Sequence, residues 1–124
     1  MPKILIVDDN PLGLMLVSGV LLATKAENLE VLQAGGALDA LAILDRHEVD
    51  MLFTDLHMNE VSGLQLIQKL RKNGFTAPIV VVTMEESPEL LKRVLAAGAT
   101  MVMSKRSRPV DLQKAMELIG PQPG

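Results

Sequence analysis

Apolar and polar positions follow two rhythms along this chain. Runs of four or five apolar residues recur, and between them lie longer stretches with apolar residues three and four apart. The short runs predict strands buried on both faces, and the longer spacing predicts helices with one apolar stripe. Ile4-Leu5-Ile6-Val7 is the first run and ends on Asp8-Asp9. Asn10-Pro11 then opens a helix, with Asn10 as N-cap and Pro11 at the first helical position, running to about Lys25. A second strand is predicted over 29–34; Glu30 and Gln33 interrupt it, which places it at a sheet edge. Gly35-Gly36 turns the chain into an alanine- and leucine-rich helix over 37–46.

The third run, 51–55, ends on Asp55 and is followed by a polar loop to Gly63. The next helix carries Leu66, Ile67 and Leu70 on one side and stops at Asn73-Gly74. Ile79-Val80-Val81-Val82-Thr83 is the most β-branched run, and Ser87-Pro88 caps a helix ending near Gly98. A fifth strand over 100–104 is closed by Lys105. Pro109 opens a last helix with Leu112, Ala115, Met116 and Ile119 on one face. Residues 1–120 thus read as one domain, with 121–124 a disordered tail.

Five alternating β and α units with apolar strands predict an α/β fold. A parallel five-stranded sheet has helices on both faces, in the flavodoxin-like doubly wound order 2-1-3-4-5. Composition narrows the function classes. At 124 residues, with 48% hydrophobic and 22% charged residues, the chain is an ordinary soluble domain able to bury a core. The net charge of -3, without a basic stripe, argues against direct contact with nucleic acid. Two aromatics, Phe53 and Phe75, offer no platform for stacking bases. With no cysteine there is no disulfide, thiolate or zinc-thiolate chemistry. No apolar stretch reaches membrane-spanning length and no secretory segment follows Lys3, so the expected compartment is the cytoplasm, away from membranes.

The predicted strand ends gather the chemistry. The first strand supplies Asp8 and Asp9, the third Asp55, the fourth Thr83 and the fifth Lys105. In the order above these meet in the crevice at the carboxyl edge. Two carboxylates about 4 Å apart repel by about 4 kcal/mol at an effective dielectric near 20, so such a cluster takes up protons or a cation. An all-oxygen, partly hydrated site suits Mg²⁺ best. Three carboxylates against Mg²⁺ and the Lys105 ammonium sum to zero charge. A site so balanced admits a phosphoryl group, with Asp55 as nucleophile and Lys105 and the Thr83 hydroxyl contacting its oxygens. Taken singly, each residue has a plainer role: Asp8-Asp9 as turn acids, Asp55 as a loop opener, Thr83 as a β-former, Lys105 as surface charge. Their joint placement at carboxyl ends is what points to a site.

Val7-Asp8-Asp9-Asn10, Thr54-Asp55-Leu56-His57-Met58 with Gly63, Val82-Thr83, and Gly98-Ala99 followed by Lys105 resemble the receiver domain of two-component response regulators. The resemblance runs from Lys3 to about Ile119. It implies that a sensor histidine kinase or a histidine phosphotransfer protein donates a phosphoryl group to Asp55. It also implies Mg²⁺ held by Asp9, Asp55, the main-chain carbonyl of His57 and, through water, Asp8. Thr83 would turn to the phosphoryl group, Lys105 would pair with it, and a downstream protein would read the result.

Four positions depart from the family pattern. Asn59 stands where proline is usual, and Met84 follows the threonine where a small residue is common. Val102 replaces the strand-five aromatic that couples to the threonine, and Arg106 replaces a proline. A cis bond before a residue other than proline costs about 3 kcal/mol, so a trans Lys105-Arg106 bond is expected. His57 and Glu85, two residues past Asp55 and Thr83, flank the site and could tune hydrolysis of the acyl phosphate. In the first helix, Leu14, Val17 and Leu21 form a stripe besides that of Leu12, Met15, Leu16, Gly19 and Leu22. The spare stripe is either part of a broad core face or a dock for a kinase's helices or a second copy in a homodimer.

Three other functions stand beside the phosphorylatable switch. One is a receiver-like interaction module acting without phosphorylation-driven switching, favoured by Met84, Val102 and Arg106. A Mg²⁺-dependent phosphatase would want an acid two residues after Asp55, where His57 stands. A flavodoxin would want a hydroxyl-rich phosphate loop after the first strand, which the chain lacks.

Overall fold

Residues 3–9, 30–57, 61–104, 114–115 and 117–119 are described in the computed structural model of this chain. Among them, five strands form one parallel sheet: β1 (Lys3–Val7), β2 (Glu30–Ala34), β3 (Met51–Thr54), β4 (Ile79–Thr83) and β5 (Met101–Ser104). The order is β2-β1-β3-β4-β5, as the sequence predicts. From β1 the chain adds β2 on one side and β3 on the other, so the strand order reverses beyond the carboxyl ends of β1 and β3, where open α/β sheets form their crevice. Register places Val7 beside both Ala34 and Thr54. The ladder continues one residue further: Asp8 N–H donates to the Ala34 carbonyl and Asp55 N–H to the Val7 carbonyl, each at 3.1 Å. The two acids therefore leave the sheet at the same level.

Strand periodicity divides the core. On one face Leu5, Val7, Leu52, Ile79 and Val81 pack against Ala37, Ala40, Leu66, Ile67, Leu70 and Val94, which come from the helices Ala37–Leu44, Gly63–Lys72 and Pro88–Ala97. On the other, Ile4, Ile6, Met51, Phe53, Val80, Val82 and Met103 are buried with Ala115. Each such large side chain contributes about 1.5–3 kcal/mol on burial. The N-terminal helix expected to about Lys25 lies outside the described residues. Of the last helix, 114–115 are helical and Glu117–Ile119 is a 3-10 turn.

Four strand boundaries differ from expectation by one residue, those of β1 at Lys3, β2 at Glu30, β3 at Thr54 and β5 at Met101. β3 stops at Thr54 because the Asp55 carboxylate accepts the Leu56 N–H at 2.7 Å, which turns the chain out of the ladder. β2 begins at Glu30, pairs only with β1 and leaves Gln33 exposed, the edge position its sequence predicts. The helix after Gly36 ends at Leu44, two residues before Arg46.

The helix that supports the site is strongly specified. Ser62 caps Gly63–Lys72 in a reciprocal box: Gln65 N–H donates to Ser62 Oγ at 3.2 Å, and Ser62 N–H donates to Gln65 Oε1 at 3.0 Å. Lys69, Arg71 and Lys72 occupy its last turn, where cations suit the helix dipole. Arg71 then staples the amino edge of the sheet, donating to the carbonyls of Phe75 (2.7 Å), Ala77 (2.9 Å) and Gly98 (3.0 Å). Burial lowers its pKa from the ordinary guanidinium value.

Candidate functional site

Asp8 and Asp9 follow β1, and Asp55 follows β3. Asp8 and Asp55 are buried, at 4% and 8% exposure, and Asp9 is half-buried. Each offers a carboxylate oxygen, and these atoms all lie within 4.8 Å of one another. Unit charges at that separation repel by about 3–4 kcal/mol per pair at an effective dielectric near 20. Three hard oxygen donors from two adjacent strand ends are the donor set that Mg²⁺ takes. The cluster thus fits a divalent metal on its chemistry.

The Asp55 peptide is held from several sides. Thr54 Oγ1 donates to the Asp55 carbonyl at 2.9 Å, and Leu56 N–H holds the carboxylate. Gly63 N–H donates to the Leu56 carbonyl at 2.9 Å. The start of the Gly63–Lys72 helix presses so close that a Cβ on Gly63 would overlap the Asp55 carbonyl oxygen and come within 3.0 Å of Leu56 Cα. Gly63 is glycine because the Asp55 main chain occupies the space of a side chain.

Thr83 ends β4 and is buried at 2% exposure. Its Oγ1 accepts the Glu85 N–H at 3.0 Å, so its O–H remains able to donate elsewhere. Glu85 in turn accepts the Ser87 N–H at 3.1 Å, beside the cap of the Pro88–Ala97 helix. Its other carboxylate oxygen lies 3.6 Å from His57 Nε2. A side-chain bridge therefore links the loop after β3 to the loop after β4. Met84, between Thr83 and Glu85, is half exposed, and Val102 is partly buried against the core cluster that holds Val81 and Val94.

The structure thus brings Asp8, Asp9 and Asp55 together and sets Thr83 at the end of the neighbouring strand β4. Lys105 and Arg106 lie outside the described residues, as do Asn59 and the Leu14, Val17 and Leu21 stripe. Two features were not read from sequence. One is the His57–Glu85 bridge, signalled only by opposite charge potential two residues past the ends of adjacent strands. The other is the Gly63 approach, for which the bare glycine before a helix was the signal. Among the described residues no helix is long and apolar enough to cross a membrane.

Comparison with known proteins agrees with this geometry. Residues 4–117 match the model of the response regulator receiver domain family. The chain is 30% identical over 121 residues to the two-component response regulator ORR8 of Oryza sativa subsp. indica, covering 95% of this chain and 98% of that protein. It is 31% identical over 114 residues to the nitrate/nitrite response regulator protein NarP of Escherichia coli K12, covering 92% of this chain but only 53% of NarP. The chain therefore spans about half the length of one such relative and nearly all of another. Among solved structures, the chemotaxis protein CheY4 of Vibrio cholerae superposes with a TM-score of 0.85 at 29% identity, covering 96% of this chain and 98% of that one.

Proposed function

The chain belongs to the response regulator receiver domains, a family of signalling domains rather than enzymes with a released product, and from that premise we propose that Asp55 is its phosphoacceptor. The observation that carries the reading is the cluster of Asp8, Asp9 and Asp55 within 4.8 Å at the carboxyl edge of β1 and β3. An Asp55 carboxylate oxygen attacks the phosphorus of a phosphohistidine on a sensor kinase or phosphotransfer protein. The P–N bond breaks, its electron pair returns to the donor imidazole, and an acyl phosphate forms.

Asp9, Asp55 and the main-chain carbonyl of His57 would hold Mg²⁺, with Asp8 reaching it through water. When bound, the ion supplies positive charge that offsets the carboxylates and the incoming phosphoryl oxygens. The Thr83 hydroxyl donates to one phosphoryl oxygen, and the Lys105 ammonium pairs with another. The phosphorylated domain then signals through contacts with a downstream protein in the cytoplasm.

Val102 favours a second reading, an interaction module whose binding does not depend on phosphorylation, because it cannot follow Thr83 as an aromatic would. Intact-mass analysis after incubation with acetyl phosphate and Mg²⁺ separates the two. Uptake of one phosphate, absent in Asp55→Asn and without Mg²⁺, supports the receiver reading. No uptake by the folded, Mg²⁺-bound protein favours the second.

A further inference from the structure

We infer that the Thr54 hydroxyl positions the Asp55 carboxyl group for attack on phosphorus, by fixing the plane of the peptide between Asp55 and Leu56; this rests on the Asp55 assignment proposed above. Thr54 is the last residue of β3, pairs with Val7 of β1 and Val81 of β4, and is 1% exposed. A hydroxyl so buried needs a partner, and it donates to the Asp55 carbonyl at 2.9 Å. The residue is mounted on the sheet from both sides, and its branched Cβ restricts the directions the hydroxyl can take. The same carbonyl fills the space that a Gly63 side chain would take, at the start of the Gly63–Lys72 helix.

The carbonyl matters because of what the same peptide does at its other end. A peptide unit is planar, so its C=O and N–H turn together. Here the N–H is that of Leu56, which donates to Asp55 Oδ1 at 2.7 Å. On its amino side Asp55 is already fixed by the ladder, its own N–H donating to the Val7 carbonyl at 3.1 Å. What remains is rotation of the peptide that follows it, and the Thr54 hydroxyl opposes that rotation. Holding the plane holds the Leu56 N–H, and through it one oxygen of the carboxyl group. A nucleophile kept in line of attack leaves less of the barrier to orientation. Both donors are neutral, so the arrangement does not depend on a charge state. Thr54 therefore acts through the peptide rather than on the phosphoryl group itself.

The test is the rate of phosphate uptake from acetyl phosphate at saturating Mg²⁺, read by intact mass on the folded whole chain, together with the Leu56 amide proton shift. Thr54→Val and Thr54→Ala both remove the hydroxyl, one keeping the volume and one leaving space, so either reports if the other fails to fold. Thr54→Ser keeps the hydroxyl and loses a methyl group. The hydroxyl-free variants are expected to take up phosphate about two- to ten-fold more slowly, the range set by one neutral hydrogen bond. Their Leu56 amide proton should move upfield as its bond to Oδ1 lengthens. Thr54→Ser should keep the wild-type amide position and most of the wild-type rate, which a role in packing alone would not give. Wild-type speed in the hydroxyl-free variants, an unmoved Leu56 amide, or a Thr54→Ser rate as slow as theirs overturns the inference while leaving the receiver reading standing. No uptake by the wild type, or uptake that survives Asp55→Asn, overturns both.

Discussion

Replacing Gly63 with alanine separates helix propensity from the packing that supports Asp55. Gly63 is the first residue of its helix, so propensity alone favours alanine by up to about 1 kcal/mol. The structure predicts the reverse. An added Cβ would overlap the Asp55 carbonyl oxygen and crowd Asp55 C and Leu56 Cα at 3.0 Å, and all of these are main-chain atoms that cannot swing aside. Relief requires the helix start to lift or the Asp55 peptide to tilt. Either change weakens the Gly63-to-Leu56 and Thr54-to-Asp55 hydrogen bonds. Overpacking of this kind costs about 1–3 kcal/mol, and the weakened bonds add about 1 kcal/mol. Gly63→Ala should therefore lose about 1–3 kcal/mol net in urea denaturation and take up phosphate more slowly from acetyl phosphate. Gly35→Ala is the matched control: nothing lies within 4 Å of its added Cβ, and its stability should change by less than about 1 kcal/mol. A Gly63→Ala protein as stable and as reactive as wild type would show that the Asp55 main chain does not need the space of the missing side chain.

Three further outcomes follow from the same contacts. Arg71→Met removes the donor shared by the Phe75, Ala77 and Gly98 carbonyls and should cost about 2 kcal/mol in urea denaturation, with phosphate uptake at the opposite sheet edge unchanged. Ser62→Ala breaks the capping box and should cost about 1 kcal/mol, read by the same denaturation. Mg²⁺ at ten times its dissociation constant should stabilise the wild-type chain by about 1.4 kcal/mol, visible as a raised thermal midpoint, and Asp55→Asn should lose most of that gain.

The sheet was legible because β1, β3 and β4 are buried on both faces and so carry unbroken apolar runs, of which Ile79–Thr83 is the plainest. β2 was legible as an edge for the complementary reason: a strand with one neighbour can carry Glu30 and Gln33. The acid cluster followed from topology, since the strand order alone brings Asp8, Asp9 and Asp55 to one crevice. Contacts between loops were not legible. Nothing local in His57 or Glu85 says that they meet, because their approach depends on how two strand ends are spaced. Nor does the sequence around Arg71 show that it serves three carbonyls, two of them in the turn before β4 and one before β5. The end of β3 was misplaced by one residue because the Asp55 carboxylate captures its neighbour's N–H, a side-chain act that a count of apolar residues does not register.

Asp55 is proposed to carry the phosphoryl group in preference to its two neighbouring carboxylates, Asp8 and Asp9. Borohydride reduces an aspartyl phosphate to homoserine, so the phosphorylated chain can be trapped, digested and sequenced by mass spectrometry. Homoserine is expected in place of Asp55, with Asp8 and Asp9 intact, and no conversion when Mg²⁺ is withheld. Homoserine at Asp8 or Asp9, or an unconverted Asp55 in a chain that has gained phosphate, would contradict it.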